Sequence, residues 1–287
     1  MEILIKDKYK FSKDRIIVLV LCALILVSCR KKDATVKLPE VPEQLVILSF
    51  ISPQDSVIKV SLTLTQPLYN NAASNQFANV ENATVIISSA LGSSVLVFDP
   101  ATKNYVIDSL SLKIREGIKY TITASTPDGK SANASTQIPL ANKTLSIEID
   151  TNSANLKCTW LDPSTTTDYY RVFLEHSDFY VFESHTMMGD YMDTIHEKGV
   201  YAEWMLDTEN PGGVLTKNFE YFPYTDSTEN VYIYLLHVSK EYYDFGIKLP
   251  LAEVTDNPFA EPVPMYSNVN GGYGIFAGYT SYRRKVN

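Results

Sequence analysis

Between residues 44 and 140 the chain breaks into short β-branched segments, each closed by a turn, and few folds accept that rhythm. LVILSFIS (45–52) is an apolar run, and Val57, Val60, Leu62 and Leu64 continue through a second segment. ATVIISS (83–89), SVLVF (94–98), NYVID (104–108), GIKYTITAS (117–125) and ANASTQI (132–138) follow. DPATK separates the fourth from the fifth, and Pro127-Asp128-Gly129 separates the last two; both are turn compositions. No apolar repeat at helical spacing competes over this stretch.

Seven short strands at this spacing predict an immunoglobulin-like sandwich over 44–140. Segment 65–82 interrupts it with Asn, Ala and Ser and reads as a long loop. Ile138-Pro139 closes this domain, and TLSIEID (144–150) opens another over 141–287. LKCTWLDPSTTTDYYRVFLEH (156–176) looks like two successive strands of a fibronectin type III module, with Trp160 filling the space between the sheets. Regularity then fails over 178–217, which reads as a large insertion. Strands return at 218–222 and 231–238, and Ser239 is placed to cap a short helix, 240–249, with Pro250 ending it. YGIFAGYTSYR supplies a final strand. The expected class is therefore mainly β: an immunoglobulin-like sandwich, then a fibronectin type III-like domain with an insertion and one short helix.

The N-terminus follows a different logic. Residues 6–15 are basic, and IIVLVLCALILV (16–27) is an apolar run too short to cross a bilayer comfortably, which takes ~20 residues. It fits the hydrophobic region of a secretory signal. Leu26-Val27-Ser28-Cys29 matches a bacterial lipobox: small Ser28 admits the signal peptidase, and the Cys29 thiol takes the lipid. Residues 1–28 are read as signal peptide and 29–43, with its prolines, as a stiff tether. Arg30 after the lipobox favours the outer membrane and leaves its periplasmic and surface faces open. Net charge of −8 argues against a nucleic-acid binder, which needs a basic surface. With Cys22 removed and Cys29 acylated, Cys158 remains alone, so no intrachain disulfide is expected. Its place in LKCTW suits a buried small hydrophobe.

Chemistry-bearing residues concentrate in the insertion. His185, Met188, Met192 and His196 are soft-metal ligand types, but their spacing matches no established site and packing explains the methionines better. Asp190, Asp193, Glu197, Glu203, Asp207 and Glu209 read as a solvated acidic loop. A hydrolase would need two carboxylates facing each other across a cleft, with Asp190 and Asp193 the residues to test. No nucleophile elbow, phosphate loop or dinucleotide fingerprint occurs, and no cofactor is expected. The aromatics Tyr191, Tyr201, Trp204, Tyr221, Phe222 and Tyr224 are candidates for contact with a ligand or partner, since such rings give large contact area at low entropy cost.

Four stretches together carry a family resemblance: LVILSFISPQDSVIKVSL, GIKYTITASTPDGKSANASTQIP, SKEYYDF and NPFAEPVPMYSNVNGGYGIFAGY. With the lipobox they resemble the Bacteroidota lipoproteins of the domain-of-unknown-function 4249 family over almost the whole mature chain, most specifically over 257–279. Pro250 departs from the pattern and is expected to shorten the helix. Such lipoproteins commonly neighbour TonB-dependent outer-membrane receptors. The resemblance implies a non-enzymatic accessory role in uptake beside such a barrel, and it brings no catalytic residues. A surface adhesin or carbohydrate-binding module is the alternative, and a hydrolase a lesser one. Lipidation is directly testable: Cys29→Ala should move the protein from the membrane fraction and abolish [3H]palmitate labelling, and persistent labelling would refute the lipobox assignment.

Overall fold

Alternating burial along the strands places the cores. In β1 (Leu45–Ile51) Leu45 and Ile47 are fully buried, and in β2 (Val57–Leu64) Ile58, Val60 and Leu62 face the same interior. The computed structural model describes residues 42–66, 78–150, 155–162, 166–176, 203–207, 212–220, 231–253 and 265–286. Within them the chain is mainly β with a single helix.

All seven strands expected over 44–140 are present. After β1 and β2 come β3 (Thr84–Ser89), β4 (Gly92–Asp99), β5 (Asn104–Asp108), β6 (Lys119–Ser125) and β7 (Ser131–Gln137). Their neighbours run β1-β2-β5-β4 and β3-β6-β7. That is the two-sheet arrangement of an immunoglobulin constant-type sandwich. The sheets are not separate, because β4 changes partners midway. Residues 92–96 pair with β3, and 97–99 pair with β5. Between the two sheets lie Ile47, Ile58, Val60, Val85, Ile87, Tyr105, Tyr120 and Ile122, all essentially inaccessible.

The second half builds the other sandwich. A three-stranded sheet, β12-β9-β8, consists of β8 (Ser146–Asp150), β9 (Asn155–Leu161) and β12 (Val214–Glu220). It shares a core with β10 (Tyr169–His176), β11 (Glu203–Leu206), β13 (Val231–Val238) and the end of β14 (Gly272–Val286). Trp160 sits in that core as expected, edge-on to Tyr170 at 5.7 Å. Two strands begin inside the stretch read as insertion: β11 entirely, and β12 from Val214. The four residues of β11 hid it, because a short edge strand need not alternate cleanly.

β14 ties the halves together. Residues 272–278 pair in parallel with β1, and residues 279–286 pair antiparallel with β13. One sheet of eleven strands therefore runs across the boundary placed at 140/141. Phe276 enters the first core, while Ile275 and Ala277 point to the opposite face. That face carries a third core, covered by helix α1 (Lys240–Glu253) through Tyr242 and Phe245. Ser239 caps the helix as expected: its Oγ accepts the Tyr242 N–H (3.4 Å) and also the Gly278 N–H of β14 (3.3 Å). The helix does not stop before Pro250 but runs one turn further, to Glu253. Proline forfeits one backbone bond; the apolar anchorage of the preceding turns on the sheet outweighs that loss. No helix among the described residues is long and apolar enough to cross a membrane.

At its glycines the first half of β14 leaves no room for a Cβ. Gly274 has φ +109°, and an ideal Cβ there would lie 1.9 Å from the Ile47 carbonyl oxygen. A Cβ at Gly278 would lie 2.6 Å from Ile138 Cδ1. Asn268 secures the same region. Its side chain accepts the Phe276 N–H (3.0 Å) and donates to the Phe276 carbonyl (2.8 Å) and to that of Ser135 on β7 (3.3 Å). Gly274→Ala should thus lower stability by roughly 3 kcal/mol or more in urea unfolding. Gly129→Ala, at φ +90° but with open space around it, should cost only about 1 kcal/mol. Equal losses would refute the close-approach argument.

Candidate functional site

Two connections of the second sandwich bring three carboxylates to one point. Asp162 follows β9, Asp168 precedes β10 and Asp207 follows β11. One oxygen from each lies within 4.8 Å of the other two. Asp162 and Asp207 are each only 1 % exposed, and Asp168 is half-buried. Surrounding donors hold them in place. Asp162 accepts the Tyr170 hydroxyl (3.0 Å) on Oδ1 and the Gly212 N–H (3.0 Å) on Oδ2. Asp207 Oδ1 accepts the Asp168 N–H (2.8 Å), whereas its buried Oδ2 meets no N–H or O–H donor among the described residues.

His237 of β13 forms the other wall. Its Nδ1 lies 2.8 Å from the Leu140 carbonyl and its Nε2 3.2 Å from Asp168 Oδ1. A carbonyl only accepts, so Nδ1 carries the proton that Leu140 takes. The ring stacks on Tyr170 at 4.8 Å. Asn142, from the segment between the sandwiches, donates to the Leu161 carbonyl (2.9 Å) and the Tyr170 hydroxyl (3.3 Å). Burial, then the Asp162 carboxyl, push the Asp207 carboxyl up to about 6, against the opposing pull of the Asp168 N–H. Burial likewise raises the Tyr170 phenol well above its ordinary range.

Asp207 therefore does not belong to a solvated acidic loop, although Glu203 does stand exposed and pairs with Lys217 at 2.9 Å. Spacing could not reveal this cluster, because Asp207 lies 39 residues beyond Asp168, in a different connection. The only local signal was Asp next to strand ends, which turns supply everywhere.

Among the expected contact aromatics, Trp204 alone is described. It lies on β11, half-buried, edge-on to Tyr242 (5.4 Å) and to Tyr243 (6.1 Å) of the helix. The buried Arg171 guanidinium sits 5.2 Å from its ring and 5.2 Å from that of Phe173. A Cβ at Gly246 would fall 2.0 Å from the indole, so the helix meets Trp204 where it has no side chain. Trp204 anchors the helix to the sheet. Tyr191, Tyr201, Tyr221, Phe222, Tyr224, His185, Met188, Met192, His196, Asp190, Asp193 and Cys29 lie outside the described residues.

Against families of known proteins, residues 31–285 match the model described as "Domain of unknown function (DUF4249)". The chain belongs to this family. The matched residues include the part of β14 that carries Gly274 and Gly278. No curated protein matches the chain. Solved structures resemble it only faintly. A cytokine receptor complex aligns at 9% identity and TM-score 0.26, covering 69% of this chain and 86% of that one. The BSP domain of a biofilm associated protein aligns at 14% and TM-score 0.22, covering 67% and 26%. A "putative carbohydrate binding protein" from Bacteroides uniformis aligns at 9% and TM-score 0.24, covering 86% and 100%. Likeness at this level carries no functional information.

Cys158 is fully buried in β9, and desolvation pushes its thiol up to about 12. At pH 8 only about one thiol in ten thousand is then ionised. Iodoacetamide should leave Cys158 of the folded protein unmodified in peptide mass mapping and label it after guanidinium unfolding. Rapid native labelling would contradict its burial.

Proposed function

We propose that this DUF4249 chain is a lipid-anchored, non-enzymatic accessory protein of the outer membrane that partners a TonB-dependent receptor in ligand capture or uptake. The observation that carries this reading is the lipobox Cys29, set a short tether ahead of two β-sandwiches that share one strand. Such a body suits docking: β14 holds the surfaces of both sandwiches in fixed relation, which lowers the ordering cost of binding a large partner. The described residues also favour binding over catalysis. Two of their three clustered carboxylates are buried, and both oxygens of Asp162 are held by the protein's own donors, unlike a pair of carboxylates facing each other across an open cleft.

Co-purification tests the proposal. The full-length protein, tagged at its C-terminus, is extracted from native membranes in mild detergent and its companions are identified by mass spectrometry. A stoichiometric outer-membrane β-barrel is the expected result. Recovery of the protein alone, together with specific signals on a glycan array, would replace the accessory role with adhesion or carbohydrate binding.

A further inference from the structure

We propose that Asp162, Asp168 and Asp207 together bind one divalent cation, with calcium the ion that their all-oxygen donor set fits. The inference stands apart from the receptor reading, since it concerns how the second sandwich is held together and not what it docks against.

Distance supports it first. Calcium takes oxygen ligands at ~2.3–2.6 Å, so two oxygens on one ion are at most about 5 Å apart. The three carboxylate oxygens fall inside that envelope, all within 4.8 Å of one another. Chemistry supports it next. The donors are hard oxygens, with no sulfur among them and His237 already engaged with Leu140 and Asp168.

The independent observation is Asp207 Oδ2. It is buried in a residue 1 % exposed, no N–H or O–H among the described residues donates to it, and its carboxyl lies against that of Asp162. Two carboxylates do not share buried space without positive charge or a proton between them. A cation supplies that charge and gives Oδ2 its missing partner. The surrounding bonds meanwhile do what an outer shell does at a metal site: Gly212 N–H, Tyr170 hydroxyl and Asp168 N–H orient the carboxylates before any ion arrives. The ion would pin the ends of β9, β10 and β11 together, beside the segment at Leu140–Asn142 that leads from one sandwich to the next.

The experiment uses the full-length protein in detergent, stripped with chelator and melted at neutral pH in added CaCl2, in MgCl2, and in KCl of matched ionic strength. At a hundredfold excess over Kd, calcium should raise Tm by roughly 5–10 °C, while KCl leaves it unchanged. Asp207→Asn should abolish the rise. In chelator the same variant should melt at or above the wild type, because it removes the carboxylate left uncompensated. Should that variant fail to fold, Tb3+ on the wild type decides: emission sensitised by the neighbouring Tyr170 and displaced by calcium supports the site. Melting indifferent to calcium, without sensitised Tb3+ emission, overturns the proposal in favour of a shared proton. A calcium response that survives in Asp207→Asn overturns it by placing the ion elsewhere. Magnesium acting as strongly as calcium overturns the choice of ion.

Discussion

The two-sided pairing of β14 is the constraint on which the rest of the molecule depends. Its first half completes the first sandwich along β1, and its second half completes the second along β13. A strand can serve two sheets end to end only if its side chains satisfy three different interiors in turn. Phe276 fills the first core, Ile275, Ala277 and Tyr279 the helix-covered face, and Val286 the second. The glycines are the counterpart of that duty. Where β1 and β7 press against the strand, a Cβ would meet the Ile47 carbonyl at 274 or Ile138 at 278. Because strands exchange backbone bonds that must be paired when buried, the two sandwiches cannot separate without breaking a ladder.

The helix-covered face shows how such a junction is kept dry. α1 lies across strands from both sandwiches and draws Phe50 of β1, Phe173 of β10 and Tyr279 of β14 into one aromatic cluster. Tyr242 is its hub, 4.7 Å from Phe50, 5.4 Å from Trp204 and 5.9 Å from Tyr279. Arg171 is buried within this layer, its Nη1 donating to the Tyr242 hydroxyl at 3.3 Å and its charge resting on two ring faces. Aromatic rings accommodate that charge at modest cost, whereas an aliphatic layer would not.

The polar counterpart lies where β9 and β11 end and β10 begins. Asp162, Asp168, Asp207, Tyr170, His237 and Asn142 form a connected network at the place where the linker passes. Buried networks of this kind favour one arrangement of loops over others when every member is satisfied, and they are costly when one is not. Here one oxygen stands out, and its environment is more acidic than the protein's own donors neutralise.

Local chemistry alone determined much of this protein. Seven strands of the first sandwich were legible because each is short, β-branched and bounded by turn residues, features that act within a few residues. Trp160 in a core, Ser239 at a helix start and inert Cys158 were legible for the same reason. Tertiary structure decided what depends on partners distant in sequence. Whether Tyr-Gly-Ile-Phe-Ala-Gly is a hairpin arm or a strand shared between sandwiches depends on β1, more than two hundred residues earlier. Whether Trp204 faces outward depends on Gly246, and whether Asp207 is solvated depends on Asp162 and Asp168. Pro250 stays helical because packing of the preceding turns overrides a local stop signal. Propensity and turn chemistry are short-range and can be read along the chain; burial and charge proximity are set by which distant segments meet, and only the folded backbone brings them together.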